Sequence, residues 1–207
     1  MAHGCSFPPL VALVGHKGSG KSTLCTLLEQ DLDYSEVAIA DTLKKAICGL
    51  FVGFVCEEDV TDPSRKNCFN AAVNTTNRRV MQRMGDMVRE QIPLYLPEMF
   101  ELSEHKGRSL CIITAAKEIK DFLSAGIRVC VSDCRFPDEI KMIRELGGVV
   151  VRIVRPEATQ SSTSDDQHAS ETSLDDEKVE DFVLVNNGSV NSLLLKFSQI
   201  EFNYHRF

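Results

Sequence analysis

The residues best suited to chemistry lie early in the chain, where residues 15–22 read Gly-His-Lys-Gly-Ser-Gly-Lys-Ser. This run fits the pattern G-x-x-x-x-G-K-[ST]; it follows the apolar residues 10–14 and precedes residues 22–30, whose apolar spacing is helical. Glycines allow the tight turn that points backbone N–H groups at a phosphate, and the start of the following helix adds positive partial charge. The sequence therefore predicts a phosphate-binding loop between a strand and a helix.

Two side chains of this loop have specific expected tasks. Lys21 is expected to reach the β- and γ-phosphate oxygens of ATP, and the Ser22 hydroxyl to bind the Mg²⁺ that bridges those phosphates. His16 occupies a variable position of the pattern, where it fills the loop surface. The predicted cofactors are therefore ATP and Mg²⁺. The predicted nucleotide-binding residues are Gly15, His16, Lys17, Gly18, Ser19, Gly20, Lys21, Ser22 and Thr23.

A carboxylate and two arginines follow apolar segments further along the chain. Asp133 comes directly after residues 127–132, Arg135 lies two residues later, and Arg155 follows residues 149–154. Open α/β sheets bind ligands at the carboxyl ends of their strands, so Asp133 is a candidate to orient Mg²⁺ through water and Arg135 to hold a phosphate. A structural Asp133–Arg135 ion pair is the alternative. The predicted catalytic residues are Lys21, Asp133, Arg135 and Arg155.

Residues 78–91 have helical spacing, with Asn77 as a candidate N-cap. The face opposite the apolar one carries Arg78, Gln82, Gly85 and Arg89. A solvated face would explain these residues, but a glycine within a helix costs about 1 kcal/mol relative to alanine. Close approach of a ligand between two arginines is the other explanation.

The remaining elements alternate between helices and short apolar strands. Helices are expected at residues 42–50, 109–125, 137–146 and from 190, and strands at 36–40, 127–132, 149–154 and 182–185. Residues 57–76 are polar and rich in turn formers. Repeated β-α units of this kind predict an α/β fold with a mainly parallel sheet, in one domain over residues 1–207.

One segment departs from this composition. Residues 157–181 hold nine acidic side chains against one lysine and almost no large apolar residue. The segment is longer than most connections in α/β cores, which leaves a solvated loop and a mobile lid as the two interpretations. His168 and Glu171 lie inside it, and by themselves both are typical of ordinary loop residues.

Composition limits the class of partner. The 207-residue chain has a net charge of -7, which disfavours a polynucleotide partner. Its eight cysteines form no C-x-x-C pair and are expected to be reduced. Neither a leader peptide nor a membrane span is expected, and the predicted location is the cytoplasm, that of the host if the chain is viral. A homodimer is left open.

Taken together, these motifs resemble the deoxynucleoside monophosphate kinases of bacteriophages and large DNA viruses, a phosphate-loop family related in fold to adenylate kinase. The resemblance covers most of the chain. The blocks that carry it are residues 15–22, Ala-Asp-Thr-Leu-Lys at 40–44, Asn-Arg-Arg-Val-Met-Gln-Arg-Met-Gly at 77–85, Ser-Asp-Cys-Arg at 132–135, residues 147–156, His-Ala-Ser-Glu at 168–171 and residues 181–189.

The resemblance implies a five-stranded parallel sheet flanked by helices, an acceptor-binding helical region at residues 41–108 and a lid-like insert at 157–181 that includes His168 and Glu171. It also implies transfer of the ATP γ-phosphoryl group to a deoxynucleoside monophosphate. A phosphomevalonate-kinase-like activity and a non-catalytic nucleotide-binding regulator are the alternatives. The residues implied to bind the acceptor are Lys44, Arg78, Arg79, Gln82, Arg135, His168 and Glu171.

Overall fold

The chain folds as two compact units. The computed structural model describes residues 7–101, 108–156, 174, 178–200 and 202. The first unit, here called the sheet unit, comprises Met1–Ala38 and Ala116–Phe207, and the second, the helical unit, comprises Ile39–Ala115.

The secondary structure follows the predicted alternation. The strands of the main sheet are β1 (Leu10–Val14), β2 (Tyr34–Glu36), β3 (Arg128–Val131), β4 (Val149–Val154) and β5 (Phe182–Val185). The α-helices of the described residues are α1 (Lys21–Leu32), α2 (Asp41–Leu50), α3 (Glu57–Thr61), α4 (Pro63–Lys66), α5 (Asn77–Asp86), α6 (Ile92–Tyr95), α7 (Leu110–Ser124), α8 (Pro137–Glu145) and α9 (Val190–Ser198).

The five strands are parallel and lie in the order β2-β3-β1-β4-β5. Val11 in the central strand β1 pairs with Cys130 of β3 on one side and with Val149 of β4 on the other. All of β1 is buried, as expected for a central parallel strand with both faces covered. Because the strands are parallel, all their carboxyl ends meet at one edge of the sheet.

Helices flank both faces of this sheet. Val11 packs with apolar side chains of α1 and α9, Phe197 among them. Leu10 and Ile143 of α8 instead meet beside Gly148, where an added Cβ would lie 2.7 Å from each. Since neighbouring residues of a strand point to opposite faces, the two contacts lie on opposite sides of the sheet. The predicted α/β fold, with a five-stranded parallel sheet flanked by helices, is confirmed.

In the helical unit, Asn77 joins α5 to the segment before it. A two-stranded antiparallel hairpin, Phe69–Asn70 with Thr75–Thr76, precedes this helix. The buried Asn77 side chain donates to the carbonyl of Arg65 (3.1 Å) and accepts from Asn70 Nδ2 (3.0 Å). Asn77 therefore fixes the hairpin and α4 against the first turn of α5.

The structure corrects the predicted boundaries of β2. The strand was expected at residues 36–40, but it spans Tyr34–Glu36. The Tyr34 hydroxyl donates to the carbonyl of Pro8 (2.5 Å), and Tyr34 pairs with Arg128 at the start of β3. Because of this contact the strand begins at Tyr34, two residues before the predicted start at residue 36.

Residues 57–76 also differ from the predicted polar turns, because they form α3, α4 and the hairpin. Asp59 accepts from the backbone N–H of Cys56 (3.0 Å), and Asp62 accepts from the N–H of Ser64 (2.8 Å). These carboxylates satisfy the free N–H groups of two very short helices. Two polar residues of this segment, Asp59 and Asp62, therefore act at helix N-termini rather than in turns.

The helix predicted for residues 77–91 has a different start and a different end. Its N-cap is Thr76, whose hydroxyl accepts from the N–H of Arg79 (3.2 Å), rather than Asn77. The α-helix ends at Asp86 and continues as a π-helical turn, Met87–Gln91. The seven described cysteines are free, and in the described stretches no helix has the length and apolarity to cross a membrane.

We expect Asn77→Ala to lower the free energy of unfolding by about 1–3 kcal/mol, because it removes two buried side-chain hydrogen bonds, one to the Arg65 carbonyl and one from the Asn70 amide. Chemical denaturation measures the effect. Asn191→Ala, at an exposed position of α9, is the matched control and should change stability by less than about 0.5 kcal/mol. Equal effects of the two substitutions would contradict the assigned role.

Candidate functional site

The phosphate loop connects β1 to α1 at the carboxyl edge of the sheet, as predicted. Gly15 has φ +140°, and a Cβ at this position would lie 2.3 Å from the carbonyl oxygen of Ile153 in β4. No side chain fits there, so the first glycine of the pattern is required by the neighbouring strand. Behind it, the N–H of Ser19 donates to the carbonyl of His16 (3.1 Å) and closes the turn.

Lys21 lies over this loop. Its Nζ donates to the carbonyl oxygens of Gly15 (2.5 Å) and His16 (2.8 Å). Lys21 is half-buried, while Ser22 and Thr23 are exposed at the start of α1. The ammonium group is thus held beside the backbone turn, where it adds charge to the positive end of the helix.

The loop residues fit a bound phosphate group. Ser19 is only 2% exposed, and its hydroxyl has no hydrogen-bond partner among the described residues. Buried hydroxyls normally have a partner, because leaving one unpaired costs free energy. A Cβ at Gly18 would meet no atom within 4 Å, which leaves open space above the turn. An anion bound there would satisfy the hydroxyl as well as the N–H groups.

A cavity of about 300 Å³ adjoins the loop within the sheet unit. It brings together predicted residues of the loop, Arg155 after β4, and residues that follow β5. Its lining consists of Gly18, Gly20, Lys21, Ser22, Thr23, Arg155, Asn186, Gly188, Val190 and Leu193. The last four had no predicted role, although the carboxyl-edge rule that identified Arg155 applies equally to the residues after β5.

Asp133 and Arg135 follow β3 at the same edge but do not line this cavity. Asp133 is half-buried and Arg135 exposed. The buried carboxylate of Glu139 accepts from the backbone N–H groups of Arg135 (2.6 Å) and Phe136 (3.1 Å). Glu139, the third residue of α8, therefore fixes the backbone at Arg135. The sequence analysis did not identify Glu139, although an acidic residue in the first turn of a helix is a recognised capping signal.

Arginines of β4 and α8 hold the end of the acidic segment. Arg152 Nε donates to Glu180 (2.9 Å) and its NH2 group to the carbonyl of Leu174 (3.1 Å), while Arg144 pairs with Asp181. Burial acts to raise the pKa of Glu180, but the hydrogen bond and charge of Arg152, with help from backbone N–H groups, bring that pKa below its ordinary value.

His168 and Glu171, predicted to bind the acceptor, lie outside the described residues. Most of the predicted lid-like insert, residues 157–181, lies outside them too. The lid therefore stays a prediction.

In the helical unit, Lys44 already has an anionic partner. Its Nζ lies 2.7 Å from a carboxylate oxygen of Asp41, one turn earlier in α2. Both side chains are partly exposed, so the pair is open to competition from a bound anion. A phosphate that binds Lys44 must displace or share this contact.

The other predicted acceptor residues lie on α5. Arg78 Nε donates to Asn67 (2.7 Å), Arg79 is exposed, and Gln82 is half-buried. Two arginines in the first turn of a helix oppose its dipole, since the helix N-terminus favours negative charge. An anionic ligand at this end would relieve that repulsion.

Gly85 has a packing explanation. A Cβ at Gly85 would lie 3.5 Å from Leu43 of α2, which is ordinary van der Waals contact. Packing of α5 against α2 therefore places Gly85 at a helix contact, and close approach of a ligand is not needed to account for it.

Within the described residues, no group of three or more His, Cys, Asp or Glu side chains is arranged to hold a metal ion. Magnesium in phosphate-transfer sites uses few protein ligands and the phosphates themselves. The Ser22 hydroxyl at the loop and the strand-end carboxylate of Asp133 are oxygen donors of the kind that Mg²⁺ takes.

Comparison with known proteins settles the family. The sequence profile for deoxynucleotide monophosphate kinase matches residues 52–197, which is well over half of the chain. The chain belongs to the deoxynucleotide monophosphate kinase family. A protein of Acanthamoeba polyphaga mimivirus with the provisional name deoxynucleotide monophosphate kinase is 33% identical over 198 residues, covering 92% of this chain and 93% of its own.

Two solved structures are similar to the chain at lower sequence identity. The dephospho-CoA kinase from Campylobacter jejuni has 13% identity and a TM-score of 0.49, covering 91% of this chain and 92% of its own. TT1252 from Thermus thermophilus has 17% identity and a TM-score of 0.46, with coverage of 93% and 96%.

We expect Gly85→Ala to raise the free energy of unfolding by up to about 1 kcal/mol, because alanine favours the helix and its methyl group has room beside Leu43. Gly49→Ala on α2, where nothing lies within 4 Å of an added Cβ, is the matched control and should stabilise similarly. Neither change should alter KM for the acceptor. A rise in KM confined to Gly85→Ala would instead show that a ligand closely approaches this face.

Proposed function

We propose that the chain transfers the γ-phosphoryl group of ATP to a deoxynucleoside 5′-monophosphate, giving the diphosphate and ADP. The observation that carries this proposal is the Lys21 ammonium held over the turn of the phosphate loop, together with the buried Ser19 hydroxyl of that loop, which has no partner among the described residues. Family membership supports the choice of a nucleoside monophosphate as acceptor.

The loop residues are proposed to bind the phosphates of the donor. Backbone N–H groups of residues 15–22 and the Ser19 hydroxyl donate to phosphate oxygens, and Lys21 leaves its carbonyl partners to bind the β- and γ-phosphates. Ser22, with Asp133 through water, would hold Mg²⁺, which when bound neutralises charge on the phosphates. Arg155, at the cavity wall, neutralises the charge of the phosphoryl group in transfer.

The helical unit is proposed to hold the acceptor. Lys44 exchanges the carboxylate of Asp41 for the acceptor phosphate, while Arg78, Arg79 and Gln82 of α5 bind the nucleotide. Arg135 contributes a further guanidinium. The acceptor phosphate is itself the nucleophile, so no residue is required to remove a proton from it. The protein aligns the two phosphates and stabilises their charge.

We expect Lys21→Ala to lower kcat for phosphoryl transfer by at least about 10²-fold, because it removes a preorganised charge from the transferred group. The fold should survive, since the Lys21 side chain is only half-buried and donates to carbonyls of the loop, outside the apolar core. A coupled assay for ADP release measures the rate, and circular dichroism checks the fold. Lys141→Ala, at an exposed position of α8, is the control with the same loss of charge. Near-normal turnover of Lys21→Ala would rule the mechanism out.

The substrate class is tested with a panel of deoxynucleoside monophosphates, the matching ribonucleotides and phosphomevalonate. ADP release with one or more deoxynucleotides supports the proposal. Release only with phosphomevalonate would identify another small-molecule kinase. Binding of ATP with no single-turnover transfer to any acceptor would identify a nucleotide-binding regulator.

A further inference from the structure

The turn after β5 meets the phosphate loop through Asn186. Its side-chain Nδ2 donates to the carbonyl oxygen of Ser19 (2.8 Å), 167 residues earlier in the chain. Its backbone N–H donates to the carbonyl of Val154 at the end of β4 (2.8 Å). Asn186 is therefore fixed to the sheet by its backbone and to the phosphate loop by its side chain.

The contact is too close for a larger residue on the loop side. A Cβ at Gly20, where φ is +109°, would lie 2.5 Å from Asn186 Nδ2. The backbone conformation of Gly20 favours glycine. A side chain at this position would also push the Asn186 amide away from the Ser19 carbonyl.

The turn that carries Asn186 is itself held from α9. Lys196 Nζ donates to the carbonyl of Val185 (2.9 Å) and to the Asn187 side-chain oxygen (2.5 Å). These two bonds flank Asn186 on either side in the sequence. The residues on both sides of Asn186 are therefore held by Lys196, which restricts where the Asn186 amide can lie.

We infer that Asn186 is a positioning residue that holds the Ser19 peptide of the phosphate loop in the conformation that binds the phosphate tail of the donor. The inference rests on the proposed function only in that this loop binds phosphate. Fixing the Ser19 carbonyl also fixes the Ser19 backbone and, with it, the buried hydroxyl that has no partner among the described residues. A donor is required at this position, because a carboxylate would repel both the carbonyl and the phosphates.

The test uses Asn186→Asp in the full chain, with inorganic tripolyphosphate and magnesium-bound ATP as separate ligands in calorimetry. Aspartate has the shape of asparagine but loses the donor, so both dissociation constants should rise about tenfold. Asn187→Asp is the matched control: it adds the same charge one residue later and keeps an oxygen for Lys196, so both constants should stay at the wild-type values.

Tripolyphosphate distinguishes positioning of the loop from contact with the rest of the nucleotide. Weaker binding of ATP with unchanged binding of tripolyphosphate would overturn the inference, and so would unchanged binding of both. In turnover assays, KM for ATP should rise while KM for the monophosphate stays constant. Equal rises in both constants would also overturn it.

A second variant, Asn186→Ala, removes the same bond without adding charge, and it decides the matter if Asn186→Asp does not fold. It too should bind tripolyphosphate about tenfold more weakly, with a thermal midpoint close to that of the wild type. Failure of Asn186→Ala to fold would make the residue structural and overturn the inference. If the wild type binds tripolyphosphate but phosphorylates no deoxynucleotide, the proposed function fails while the binding result still decides this inference.

Discussion

The close approach of the phosphate loop to its neighbouring strands is the constraint on which the rest of the structure depends. Gly15 faces the Ile153 carbonyl of β4 with no space for a side chain, and Gly20 faces the amide of Asn186 after β5. Both contacts require parallel pairing in register across β1, β4 and β5. The pairing of the strands therefore constrains the shape of the loop in addition to the loop's own sequence.

The two units differ in how their cationic side chains are paired. In the sheet unit, the phosphate loop holds the Lys21 ammonium over its turn, and Arg155 lines the adjoining cavity. Arg152 of the same unit is paired with Glu180. In the helical unit, Lys44 pairs with Asp41, and Arg78 donates to the side chain of Asn67. Partly exposed ion pairs such as that of Lys44 with Asp41 are weak, so a phosphate dianion can compete for Lys44.

Sequence alone was sufficient for features set by local pattern. Apolar runs, prolines and glycines favour particular local conformations. They were therefore enough to locate the strand Val149–Val154, the helix that begins at Pro137 and the phosphate loop. The sequence-based prediction was wrong where a contact between distant residues sets an element boundary. The start of β2, for example, depends on the hydrogen bond from the Tyr34 hydroxyl to Pro8. Asn186 lines the cavity because β5 is placed beside β4 in the sheet. No local sequence pattern around Asn186 encodes that strand order.

The cysteines bear on how this chain can be tagged. Burial raises the pKa of the Cys130 and Cys134 thiols well above the ordinary value, which suppresses the reactive thiolate on either side of Asp133. Cys56 and Cys68, by contrast, are exposed in the helical unit. Among the described cysteines, a maleimide dye therefore reaches the helical unit first, and fluorescence from it reports on the half of the molecule that carries Lys44 and α5.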